Sequence, residues 1–126
     1  MIRKVLIVDD AHNLRFSMEV ILKMNGFETF GAANGKEALD RIVESQKSGE
    51  YFDLVITDIV MPKMSGIELM ENLDELGIKM KIIVITGFLN DDYRERLKAL
   101  GRFSVLEKPF EMEKLVGKVR ESLSAA

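Results

Sequence analysis

Phe52-Asp53-Leu54-Val55-Ile56-Thr57-Asp58-Ile59-Val60-Met61-Pro62, residues 52–62, decides how the rest of the chain is read. Three consecutive large aliphatics, Leu54 to Ile56, are too few for a helix and too uninterrupted for a strand with one wet face. They read as the middle of a strand covered on both sides, as in a parallel sheet. The apolar run stops at Thr57 and a carboxylate, Asp58. Met61-Pro62 and Ser65-Gly66 then break the strand direction, because proline fixes its own φ and lacks a donor. Open α/β sheets bind ligands outside the carboxyl ends of their strands, so Asp58 stands where chemistry is expected.

The flanking sequence repeats the pattern. Val5-Leu6-Ile7-Val8 is a second continuous apolar run and stops at Asp9-Asp10; Ile82-Ile83-Val84-Ile85 is a third and stops at Thr86-Gly87. Phe27-Glu28-Thr29-Phe30 and Phe103-Ser104-Val105-Leu106 are diluted with polar residues, as edge strands are, and the second ends at Glu107-Lys108-Pro109. Helical spacing separates the strands. It is carried by Leu14, Met18, Ile21 and Leu22, then Ala38, Leu39, Ile42 and Val43, then Ile67, Met70 and Leu73. Tyr93, Leu97 and Leu100 follow, and the last stripe is Met112, Leu115, Val116, Val119 and Leu123. Asn34 and Glu37 predict a capping box, Asn90 or Asp91 a cap, and Asn25-Gly26 a helix end. Five strands alternating with five helices predict an α/β, three-layer doubly wound (βα)5 fold. The two diluted strands become the edges in the flavodoxin-like order 2-1-3-4-5.

Composition narrows the function classes. The 126 residues predict one domain, residues 1–126; 47% are hydrophobic and 31% charged, as in soluble globular proteins. With no cysteine, disulfide and thiolate chemistry are out, which suits a reducing cytoplasm. No apolar run approaches the roughly 20 residues of a membrane span. A net charge of −3 with interspersed signs argues against nucleic acid as a direct partner. Ser124 to Ala126 reads as a short tail, and no linker or repeat is visible.

The conspicuous polar residues all fall at strand carboxyl ends: Asp9 and Asp10, Asp58, Thr86 and Lys108. Singly, each carboxylate could serve as a helix-start residue favoured by the dipole. Five such coincidences at one sheet edge point to a site. Three carboxylates in a small space repel one another unless one is protonated or a cation is present. Hard oxygen ligands without His or Cys select Mg²⁺ or a similar ion. With an ammonium from Lys108 and a hydroxyl from Thr86, the set amounts to a clamp for a phosphoryl group around a nucleophilic Asp58.

Those residues resemble the receiver domain of the two-component response-regulator family, of the chemotaxis-receiver kind, across essentially the whole chain. The motifs are Val8-Asp9-Asp10, Thr57 through Gly66, Thr86-Gly87 and Lys108-Pro109-Phe110. The resemblance implies a phosphorylation-dependent signalling switch in which Asp58 accepts phosphate from a histidine kinase or phosphotransfer protein. It also implies Mg²⁺ held by Asp10, Asp58 and the Val60 backbone carbonyl, with Asp9 acting largely through water. Lys108 would pair with the phosphoryl group, Lys108-Pro109 would be cis, Thr86 would swing inward, and Gly87 would leave access. The downstream protein partner is expected on the face made by the fourth helix, fifth strand and fifth helix. One departure stands out: the family's aromatic three residues before the Lys is Val105 here, with Phe103 two residues earlier on the same face. Arg102, where the family often has Ala, adds to it.

His12 is read as an exposed first-turn residue, the eight Met as core filler, and Arg94, Glu95, Arg96 and Lys98 as a solvated helix face. Three functions are weighed: the switch, either stand-alone or cut from a longer regulator with a DNA-binding or other output domain; an aspartyl-phosphate phosphatase; and a degenerate receiver that binds without phosphate. The phosphatase expects an Asp-x-Asp after the first strand, which Asp9-Asp10-Ala11 does not supply. The switch catalyses only its own phosphorylation and dephosphorylation and is not otherwise an enzyme.

Overall fold

A computed structural model describes residues 2–87, 89–101 and 103–124. The strands are β1 (Lys4–Val8), β2 (Glu28–Ala32), β3 (Leu54–Asp58), β4 (Lys81–Thr86) and β5 (Ser104–Glu107). The helices are α1 (His12–Met24), α2 (Gly35–Ser48), α3 (Gly66–Glu75), α4 (Asp91–Leu100) and α5 (Met112–Ser124). The strands form one parallel sheet in the order β2-β1-β3-β4-β5, as the apolar ranking of the strands predicts. β2 runs two residues further than its sequence pattern indicates, because Gly31 and Ala32 still pair with Ile7 and Val8. Arg102 lies outside the described residues, as do Ala125 and Ala126 of the expected tail, whereas Ser124 ends α5.

Side chains of a strand alternate between faces, and this divides the core in two. Val5, Ile7, Leu54, Ile56, Ile83, Ile85 and Leu106 pack against Met18 and Leu22 of α1 and Leu115, Val116 and Val119 of α5. Leu6, Val8, Val55, Ile82 and Val84 meet Ala38 and Ile42 of α2, Ile67, Met70 and Leu73 of α3, and Leu97 of α4. Within α4 only Leu97 is fully covered; Tyr93 and Leu100 are half-buried, because this helix packs over the sheet's edge. Met18, Met61 and Met70 fill core space, but Met24 stands out in solvent. No helix among the described residues is long and apolar enough to cross a membrane.

Three local devices aim the chain at the upper sheet edge. Asp53 clamps β1 to β3 at the opposite end: its Oδ2 accepts the Lys4 N–H at 2.7 Å and its own N–H donates to the Lys4 carbonyl at 2.8 Å. Asn34 caps α2 by accepting the Glu37 N–H at 2.9 Å. The return arm of that expected box lands one residue early, Glu37 Oε2 accepting from Ala33 N–H rather than from Asn34. A full capping box occurs instead at Ser65 and Glu68, fixing where α3 starts below Asp58.

Candidate functional site

Each residue singled out at a strand end lands on the same rim. Asp9 follows β1, Asp58 is the last residue of β3, Thr86 the last of β4, and Lys108 follows β5. Carboxylate oxygens of Asp9, Asp10 and Asp58 all lie within 4.8 Å of one another. Lys108 Nζ donates to Asp58 Oδ2 at 2.7 Å and stands 3.7 Å from Asp9 Oδ2. The other Asp58 oxygen, Oδ1, accepts the Ile59 N–H at 2.7 Å. Asp9 and Asp58 are buried, Asp10 is exposed, and Lys108 is half-buried, so the site opens outward past Asp10.

The backbone holds these groups in place. Lys108 N–H donates to the Thr86 carbonyl at 2.9 Å, tying the ends of β4 and β5 together, and the Lys108–Pro109 peptide is cis. Thr86 is buried at its strand end, and beside it a cleft of about 180 Å³ is lined by Thr86, Gly87, Leu89, Arg94, Glu107 and Lys108. A methyl on Gly87 would meet only the Lys108 Cβ, at 3.6 Å, so the approach there is open. Val60 is exposed in the turn after β3.

Charge in the site is unevenly balanced. Burial raises the Asp9 pKa above the ordinary carboxylate value; the Ala11 N–H and Lys108 oppose that, while the charges of Asp58 and Asp10 add to it. For Lys108, burial disfavours the charge, but the hydrogen bond and charge of Asp58, with Asp9 behind it, outweigh burial and raise its pKa. The folded chain therefore binds the Asp9 proton more tightly than the unfolded chain. The cost is absent below the unfolded value, grows as pH rises from the unfolded toward the folded value, and is complete above it. Asp9→Asn keeps the acceptor for Ala11 N–H and removes this cost. In EDTA at pH 7 the variant is expected to melt above the parent, and the gap is expected to close toward acid pH; differential scanning calorimetry across pH measures both.

The donor set fits a hard divalent ion. Asp9 Oδ2 is buried without a hydrogen-bond partner among the described residues, an expensive state for a carboxylate oxygen unless something fills the space before it. Asp10 and Asp58 lie next to it, with no His or Cys in the cluster.

This geometry coincides with what comparison with known proteins finds. Residues 5–120 match the response regulator receiver domain. The chain belongs to that family. The receiver is 34% identical over 124 residues to response regulator receiver protein CpdR of Brucella abortus, covering 98% of this chain and 99% of that one. It is 31% identical over 120 residues to sporulation initiation phosphotransferase F of Bacillus subtilis, covering 95% and 93%. Its backbone superposes on the Vibrio cholerae chemotaxis protein CheY4 with a TM-score of 0.84 and 31% identity, over 98% of this chain and all of that one. It is therefore a two-component receiver, a signalling module of a family that takes its input from histidine kinases or phosphotransfer proteins and binds Mg²⁺ in an acidic pocket. The phosphatase reading is not favoured.

Three contacts were not visible in the sequence. Arg96 is not part of a solvated face: it donates to both Glu71 oxygens, at 2.6 and 3.2 Å, and joins α4 to α3. Arg94, Glu95 and Lys98 are exposed as expected. His12 is exposed at the start of α1 but engaged, its ring stacked on Phe16 and its Nδ1 accepting from Arg15 Nη2 at 3.1 Å. Arg15, which no sequence motif marks, donates to the Asp9 carbonyl at 2.6 Å.

Proposed function

We propose that this receiver takes a phosphoryl group on Asp58 and uses it to alter the surface it shows to a protein partner. The observation that carries the reading is the Lys108 ammonium hydrogen-bonded to Asp58 while a buried Asp9 oxygen faces the same space. Asp58 attacks the phosphorus of a donor phosphohistidine; the new O–P bond replaces the P–N bond, and the imidazole leaves carrying the electron pair. Lys108 passes from the Asp58 carboxylate to a phosphoryl oxygen. Asp10, Asp58 and the Val60 carbonyl would hold Mg²⁺, with Asp9 through water, and Mg²⁺ when bound supplies charge neutralisation at the phosphoryl oxygens. Thr86 then turns toward the phosphoryl group, drawing on an equilibrium that exists before phosphorylation.

A feature of α1 supports protein donors. Phe16, Val20 and Met24, at i, i+4 and i+8, are 58, 38 and 76% exposed and run from beside His12 away from the site. Such a stripe accepts the apolar face of an amphipathic helix whose histidine would reach Asp58. The output partner is assigned to the α4–β5–α5 face. The role implies a cytoplasmic location and a single receiver domain acting as switch rather than enzyme.

Incubation with acetyl phosphate and Mg²⁺ is expected to add one phosphoryl group by intact mass, labile to hydroxylamine and suppressed by EDTA. Steady release of phosphate from varied phosphoesters would speak for an enzyme. No adduct from acetyl phosphate or from a histidine kinase would sink the switch.

A further inference from the structure

Asp9 is held at three of its polar atoms. Its N–H donates to the Ala32 carbonyl at 3.1 Å, its Oδ1 accepts the Ala11 N–H at 2.8 Å, and its carbonyl accepts Arg15 Nη1 at 2.6 Å. Only Oδ2 is left to face the cluster. Two of the three anchors use main-chain groups of the partner, which any residue at positions 11 and 32 other than proline at 11 would supply. The third depends on one side chain.

That side chain has a path prepared for it. Arg15 sits one turn into α1, and its guanidinium reaches back over β2 to the turn between β1 and α1. Gly31 of β2, opposite Ile7 in register, leaves the space: a Cβ there would stand 3.3 Å from Arg15 Nε and 3.1 Å from Glu19 Oε1. The same guanidinium donates to His12 Nδ1, so one cation pins the Asp9 carbonyl and the first residue of the helix that begins just past Asp10. A charge-assisted bond of this length is among the stronger ones available. It fixes the short segment from which both Asp9 and Asp10 project.

We infer that Arg15 is a positioning residue for the acidic site, aiming the Asp9 and Asp10 carboxylates at a divalent cation by clamping the Asp9 main chain, with Gly31 as the opening that admits it. The inference rests on the Mg²⁺ reading above. Arg15 touches neither cation nor phosphoryl group. Its effect passes through the ligands' orientation, as outer-shell partners of metal ligands act elsewhere.

MgCl₂ titrations by calorimetry and by backbone amide NMR test this on the whole chain. Arg15→Ala is expected to weaken Mg²⁺ binding by roughly 10- to 100-fold, and Arg15→Lys, which keeps one charged donor, to recover part of it. Gly31→Ala leaves the Arg in place but crowds it, and is expected to weaken binding by a smaller factor; it also answers the question should Arg15→Ala fail to fold. With acetyl phosphate, the Mg²⁺ concentration for half-maximal labelling should rise in Arg15→Ala while the rate at saturating Mg²⁺ stays near the parent's. A merely structural Arg would lower the melting temperature and leave Mg²⁺ affinity alone. Unchanged affinity in Arg15→Ala and Gly31→Ala, with the parent binding normally, overturns the positioning role. A parent that binds no Mg²⁺ overturns the metal reading itself, and this one with it.

Discussion

Asp58→Asn is expected to take up no phosphoryl group: after acetyl phosphate and Mg²⁺ its intact mass should remain that of the unmodified chain while the parent gains one adduct. An amide nitrogen or oxygen is a far weaker nucleophile than a carboxylate, and no neighbour can replace it. Asp9 is completely buried, with one oxygen bound to the Ala11 N–H. Asp10 is exposed, and Lys108, the cation that would meet the transferred group, has its hydrogen bond on Asp58. The substitution should leave the backbone intact, since Asn can still accept the Ile59 N–H that Asp58 Oδ1 now accepts. It also takes one carboxylate from the cluster, so Mg²⁺ should stabilise the variant less than the parent. For the parent, linkage predicts about 2.7 kcal/mol at a hundredfold excess of Mg²⁺ over its Kd. An adduct of parental yield in Asp58→Asn, mapped elsewhere by peptide mass, would reject Asp58 as the acceptor.

The sheet was legible because its signal is local and redundant. Leu54 to Ile56 could be apolar on both faces only in a covered strand, and each of the three central strands says so independently. The site was legible for a related reason: residues that end strands in a parallel sheet must share a rim, whatever the packing. What stayed hidden depends on how elements lie against one another. Arg15 reaches Asp9 only because α1 crosses β2 where Gly31 has no side chain. Arg96 finds Glu71 only because α3 and α4 are neighbours on one face. The Ser65–Glu68 box carries a sequence signal, since Ser followed at three residues by Glu before an apolar run is its signature, but the same Ser65-Gly66 pair also reads as a strand break.

Position 105 is sharpened by the register. Val105 pairs with Val84, two residues below Thr86, and is half-buried. Phe103, which shares its face, lies before the first residue of β5 and packs into the cluster of Leu6, Val84 and Leu97. It stands at the amino end of the strand, on the order of 17 Å along the sheet from Lys108 at about 3.3 Å per residue. Phe103 is therefore half-buried against that cluster at the far end of the strand, not an aromatic that could follow Thr86. On the proposed reading, any movement of Thr86 on phosphorylation would pass a β-branched side chain of few rotamers.

The sharpest structural demand beneath Asp58 is made by Gly66. It opens α3, is buried, and its N–H donates to the Ile59 carbonyl at 2.8 Å. A Cβ at this position would overlap the Asp58 carbonyl oxygen and come within 3.0 Å of its carbon and 3.1 Å of Thr57 Oγ1. The obstacle is main chain in a strand paired on both sides, so the sheet cannot yield and α3 has to move. Gly66→Ala is expected to cost about 3 kcal/mol or more, at the upper end for overpacking, and to slow labelling of Asp58 in whatever fraction stays folded. Gly117→Ala makes the same chemical change in α5, where nothing lies within 4 Å of the added methyl. There the helix gains roughly 1 kcal/mol from the better helix former. Urea denaturation of the two variants should therefore move the midpoint in opposite directions. A Gly66→Ala midpoint equal to the parent's would mean that α3 is not seated against the Asp58 carbonyl.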